Sequence, residues 1–203
     1  MNVILEDKRI EGERLEFSGK ENIFFLGPNL IIERCELVLR VASRWFHIMP
    51  TRFIDCSIVV KQELKNSSWT CAALKGCRFK GRMSGCDFGP WQGYTQRWEY
   101  GSVEDCDFTE ARLSNCRFHG CDMRTVRLPK WPCFTILDPI GRAQELNSIK
   151  WPRRFGRVVM EDIHTHPSST VAMTLFAPTE AERYETTPEE IKSLIEKFDF
   201  IVY

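Results

Sequence analysis

Residues 103–128 read VEDCDFTEARLSNCRFHGCDMRTVRL. Every fifth residue is apolar: Val103, Phe108, Leu113, Phe118, Met123 and Leu128. Two positions before each, from Phe108 onward, stands a compact residue: Cys106, Ala111, Cys116, Cys121 or Val126. A polar residue lies between them, as with Asp107, Arg112, Arg117, Asp122 and Arg127. A period of five fits neither an amphipathic helix, near 3.6, nor a flat strand, at 2.

Units of the form small–polar–Leu/Phe–x–x resemble the pentapeptide-repeat family. The resemblance implies a right-handed quadrilateral β-helix, with one unit per side and about twenty residues per coil. The apolar residue and the small one before it would point inward. Marks should then recur near twenty, and they do. Phe88, Phe108 and Leu128 lie 20 apart, as do Cys86 and Cys106. Upstream, Phe17, Leu37, Ile58 and Phe79 are spaced 20, 21 and 21. Ile32, Phe53 and Leu74 repeat at 21, and Cys35, Cys56 and Cys77 run beside them. A fixed period carried by several marks is the signature of a solenoid. The step from Phe79 to Phe88 is nine, so one side is short and bulges are expected upstream.

The pattern divides the chain into residues 1–14, an N-terminal strand or cap; 15–128, the β-helix; and 129–203, an α+β module that caps the solenoid or pairs two chains. In the last, Thr187-Pro188-Glu189-Glu190 is a helix start, with an N-cap, a proline at the first position and acids near the positive end. Ile191, Leu194, Ile195 and Phe198 form its apolar face, and Phe200–Val202 suggests a closing strand. A strand is expected near Val158, and a short helix around Arg142 to Leu146. The segment Lys150–Arg157, KWPRRFGR, reads as a solvated basic connector.

The 203 residues are 43% hydrophobic, with 28 acidic and 28 basic side chains. A zero net charge supplies no long-range pull toward nucleic acid or an anionic membrane. No apolar run approaches the roughly 20 residues that span a bilayer, and the charged start lacks a signal region. The expectation is a cytoplasmic protein. Nine cysteines would suggest disulfides in a secreted chain. Here Cys35, Cys56, Cys77, Cys86, Cys106, Cys116 and Cys121 take the small inward slot, where a thiol serves as a compact hydrophobe.

Residues 89–102, GPWQGYTQRWEYGS, interrupt the repeat. Trp98 is in phase with Phe88 and Phe108 and suits the core. Trp91, Tyr94, Arg97 and Tyr100 are expected to face a partner, because binding energy concentrates in large aromatic and arginine side chains.

The segment His164-Thr165-His166-Pro167 resembles the zinc-binding H-[ST]-H-P of JAMM-type metallopeptidases. That family needs an Asp separated from the second histidine by ten residues, where this chain has Ala177; the next Asp is Asp199. The alternative is two histidines on one face of a strand. No metal, cofactor or catalytic residue is expected, since phosphate loops, dinucleotide fingerprints and nucleophile elbows are absent.

Members of the pentapeptide-repeat family include gyrase-protecting proteins that imitate DNA, interaction modules, and immunity proteins of bacterial toxin systems. DNA imitation needs a strongly negative rod, whereas residues 15–128 carry a net charge of +3. The leading expectation is therefore a non-enzymatic protein that binds a protein partner, specifically an immunity protein occluding a cognate bacterial toxin. The alternatives are a topoisomerase-binding DNA mimic and a zinc-dependent hydrolase. No nucleic acid or membrane partner is expected, and a homodimer could form through the C-terminal module.

Overall fold

The computed structural model describes residues 1–19, 21–91 and 101–203. The chain winds as a β-solenoid. The first coil is β1 (Asn2–Leu5), β2 (Arg9–Glu11) and β3 (Arg14–Phe17). The next is β4 (Ile23–Leu26), β5 (Leu30–Glu33) and β6 (Glu36–Leu39), followed by β7 (Phe46–Ile48), β8 (Thr51–Ile54) and β9 (Ser57–Lys65). Then come β10 (Ser68–Trp69), β11 (Ala72–Lys75) and β12 (Arg78–Ser84), and after them β13 (Asp87–Phe88), β14 (Ser102–Glu104) and β15 (Asp107–Ser114). β16 (Cys116–His119) opens the final coil. Strands in equivalent places stack in parallel, giving five-stranded sheets β2-β5-β8-β11-β14 and β3-β6-β9-β12-β15. The long β9, β12 and β15 each turn a corner, so one coil offers four inward positions, such as Trp69, Leu74, Phe79 and Met83, all buried.

Side-chain alternation explains the core. Ile32, Phe53 and Leu74 are directly stacked, as their spacing of 21 requires, and Val103 continues the row. Leu37, Ile58 and Phe79 form the next row. The expected bulges fall at the corner of the long strands. From Ile58 to Leu64 the side takes six residues, from Phe79 to Met83 four, and from Phe108 to Leu113 five. Register shifts sit there, between Gly81 and Met83 and between Arg78 and Lys80.

Three alignments differ from the sequence reading. Leu15, not Phe17, stacks on Leu37. Phe88 stacks on Phe118 rather than Phe108, with ring centroids 5.3 Å apart. Phe108 lies flat over Phe79 at 4.5 Å and 7°. The residues between Phe88 and Val103 are an insertion, so the 20-residue spacing of Phe88 and Phe108 joins two different sides of one coil. The thiols follow suit: Cys106 lies beside Cys77, and Cys116 beside Cys86. All nine cysteines are free, and the slot thiols from Cys35 to Cys116 face nearby carbonyls, as Cys56 does Ile32 and Ile54 at 3.3 Å, whereas Cys121 faces the Met123 sulfur. Burial pushes the Cys116 thiol well up.

The C-terminal residues build a second core. β17 (Cys133–Leu137) and β18 (Thr170–Phe176) are antiparallel, and β19 (Ile201–Val202) pairs with β17. β18 also runs antiparallel to β16 and so continues the first side of the solenoid. The helices are α1 (Ala143–Leu146), α2 (Ala177–Tyr184) and α3 (Pro188–Ile195). The α3 start carries a full capping box between Thr187 and Glu190. The strand expected near Val158 is instead a π-helical turn, Gly156–Met160, running into a 3-10 helix, Glu161–Thr165. Its buried residues, Met160 and Ile163, are spaced three apart, a helical rather than a strand interval. The basic segment before it is not a plain connector, because Trp151 and Phe155 belong to the buried cluster with Ile191 and Ile195. Among the described residues no helix is long and apolar enough to cross a membrane.

Candidate functional site

The insertion leaves the first side after Phe88 and returns at Ser102. Its neck is pinched. Gly89 has φ +80, and a Cβ there would stand 2.3 Å from the His119 carbonyl oxygen. A Cβ on Gly101 would meet the Thr70 carbonyl oxygen at 2.0 Å and the Gly89 carbonyl carbon at 3.1 Å. Only glycine lets both ends of the insertion pass between neighbouring coils.

Beneath the neck lies a cluster of polar groups on neighbouring strands. Asp87 on β13 and Arg117 on β16 are register partners, each one residue before an inward phenylalanine. The guanidinium grips the carboxylate at both oxygens, with Nε–Oδ1 2.7 Å and Nη2–Oδ2 2.9 Å. His119 is fully buried. Its Nε2 lies 3.0 Å from Asp87 Oδ1; an ionised carboxylate only accepts, so the ring donates. The Ser169 and Thr170 hydroxyls approach Nδ1 at 3.3 and 3.4 Å. Burial opposes a charged Asp87, but hydrogen bonds from His119 and Arg117 outweigh it and hold the carboxyl below its usual range. Burial and then the Arg117 charge push the nearby His166 imidazole down.

Trp91 is set on this base. Its ring stacks on His119 at 5.2 Å and 12°, and the Arg117 guanidinium lies 5.6 Å from its centroid. The sequence placed Trp91 on an exposed partner face; here it is half-buried and forms the foot of the insertion. Tyr94, Arg97 and Tyr100, and the in-phase Trp98, lie outside the described residues. Asp87, Arg117, His119, Ser169 and Thr170 were missed by the sequence reading. A signal existed for two of them: Asp87-Phe88 and Arg117-Phe118 are the same dipeptide register once the insertion is discounted.

Asp87, His119 and Ser169 have the order of an acid–base–hydroxyl triad. The chemistry does not follow. His119 is 0% exposed, and its Nδ1 is shared between two hydroxyls at long distance, so neither is held as a nucleophile. The His164–His166 pair does not lie on a strand. His164 lies in the last turn of the 3-10 helix with Nδ1 2.7 Å from the Glu161 carbonyl oxygen, whereas His166 faces a cavity of about 230 Å³ with Glu180 and Tyr184. Among the described residues no group of three His, Cys, Asp or Glu is placed to hold a metal ion.

The family model for pentapeptide repeats (8 copies) matches residues 102–128. No curated protein and no solved structure matches the chain, and no enzyme family does so. Four inward positions per coil with compact thiols beside them make this a pentapeptide-repeat solenoid in pattern, and the family's own model matches it over residues 102–128.

Proposed function

We propose that this chain is a non-catalytic protein-binding protein that engages its partner through the 89–102 insertion. The carrying observation is the foot of that insertion, where Trp91 stacks on a buried histidine and beneath the guanidinium of a partly buried ion pair. A scaffold that holds one aromatic-rich segment on a rigid base lowers the ordering cost of binding. Large aromatic and arginine residues are those that anchor interfaces, and Tyr94, Arg97 and Tyr100 follow within nine residues of Trp91. The reading we favour is an immunity protein of the cytoplasm that neutralises a cognate bacterial toxin by occluding it.

The test is co-expression with the product of the neighbouring reading frame, followed by binding measurements on single variants. The wild-type chain should restore growth. At least one of Tyr94→Ala, Arg97→Ala and Tyr100→Ala should weaken binding by about 2 kcal/mol or more, with an unchanged melting temperature. Full affinity in all three would move the interface to a flat side of the coil or to the C-terminal module. No rescue by any neighbouring product would remove the immunity reading.

A further inference from the structure

The first coil leaves one edge of the solenoid open. β1, β2 and β3 pair with β4, β5 and β6 on one side and, among the described residues, with no strand on the other. Val3, Leu5 and Leu15 point toward the core but are only half-covered, whereas Ile32 and Leu37 one coil further in are fully buried. An open edge of this kind is a template for another chain.

The sequence of this coil says which chain. Its inward residues, Val3, Leu5, Ile10, Leu15 and Phe17, are placed symmetrically about Ile10. Two pairs of its outward charges are placed antisymmetrically, while Lys8 mirrors Gly12 and Glu16 mirrors Ile4. Arg9 mirrors Glu11, and Glu6 mirrors Arg14. Reversing the coil about Ile10 therefore lays its inward apolar residues on one another, Arg9 on Glu11 and Glu6 on Arg14. Asp7 and Glu13 are a like pair, both on exposed corners.

We propose that the open first coil docks on the same coil of a second copy, about a two-fold axis through the middle of β2. The axis pairs β2 with its own copy, antiparallel, with Ile10 facing Ile10. It sets Arg9 opposite Glu11 twice over, and lays β1 of each copy along β3 of the other. Such a contact is isologous and closes on itself, so it yields a dimer rather than a fibre. Cross-strand pairs of opposite charge stabilise it, and like pairs directly opposite disfavour it. The other end of the solenoid's first side is already covered by β18.

Sedimentation velocity of the full chain tests this. The wild type should sediment as a dimer. Arg9→Glu alone makes the β2 edge uniformly acidic, and Glu11→Arg alone makes it uniformly basic. Each should raise the dimer dissociation constant by at least about tenfold, as like charges face each other. An equimolar mixture of the two should recover the dimer. Arg9 also pairs with Glu33 within its own chain, so each variant is checked by far-UV circular dichroism and melting. Glu6→Arg supplies an independent variant, because no ion pair of Glu6 occurs among the described residues. It should weaken the dimer in the same direction. A wild-type chain that stays monomeric at high concentration overturns the proposal. So does a dimer indifferent to all three substitutions, or folded charge variants whose mixture does not recover it.

Discussion

Arg117 occupies a position that the repeat makes outward and polar, and on that ground alone Arg117→Ala would cost little. The structure reverses the expectation. The Arg117 side chain is 23% exposed and its partner Asp87 only 12%, with two hydrogen bonds under 3 Å between them. Removing one member of a buried pair strands the other charge and costs about 3–5 kcal/mol. His119 remains on Asp87 and the site is not wholly dry, which lowers the expected loss to about 2–3 kcal/mol. For a chain of this size that is roughly 4–12 °C in melting temperature. Two other pairs of the same repeat calibrate it. Arg127 bonds Asp107 at 2.9 Å with side chains 66% and 15% exposed, and Arg124 bonds Asp122 with 90% and 45% exposed. Exposed pairs contribute about 0–1 kcal/mol. Urea unfolding of the three alanine variants should rank them Arg117 first, Arg127 second and Arg124 last. Equal and small losses in all three would refute the buried-pair argument.

Phe108→Ala and Phe118→Ala should each cost about 3–5 kcal/mol in the same assay, because both rings are fully buried and pack on one another at 5.3 Å; a loss near zero at either would refute the inward register. Two buried carboxyls should impose opposite pH dependences on stability. Asp87 has a lowered folded pKa, so its contribution is present above its unfolded value, about 3.9, and is lost as pH falls through the folded one. Glu180 is raised by burial, with Oε1 lacking a hydrogen bond among the described residues, so its stabilising contribution is present at acid pH and is lost as pH rises through the folded value. Asp87→Asn should therefore flatten part of the acid limb and Glu180→Gln should raise stability at neutral pH; unchanged profiles in both would contradict the assignments.

The fold was legible because a solenoid writes its period into the chain. Ile32, Phe53 and Leu74 stack as their spacing requires, and the thiols beside them mark the corners. The phase after Phe88 was not legible, for a physical reason. The insertion displaces Phe118 to 30 residues beyond Phe88, about two sides more than one coil. An insertion of nearly whole sides keeps the count of fives intact, so Phe88, Trp98 and Phe108 look continuous. The same slip hid the Asp87–Arg117 pair, whose members meet only when the insertion is subtracted. His119 carries no pattern of its own, since its ring meets Ser169 and Thr170, fifty residues away where a turn enters β18 outside the repeat. At the C-terminus, Thr187 announced its helix through local capping. The turn after Phe155 did not announce itself, because packing rather than local propensity shapes it.

The buried thiols give each level of the stack from the second coil onward its own chemical clock. Cys35, Cys56, Cys77 and Cys106 sit on successive coils, Cys86 and Cys116 mark another corner, and Cys133 lies beyond them, all buried. A buried thiol reacts with an alkylating reagent only when its own level opens. Timed alkylation read by mass spectrometry would then resolve fraying coil by coil, without placing a single probe. Levels that open together would label at one rate. A gradient from one end to the other would show that the stack unravels rather than melts.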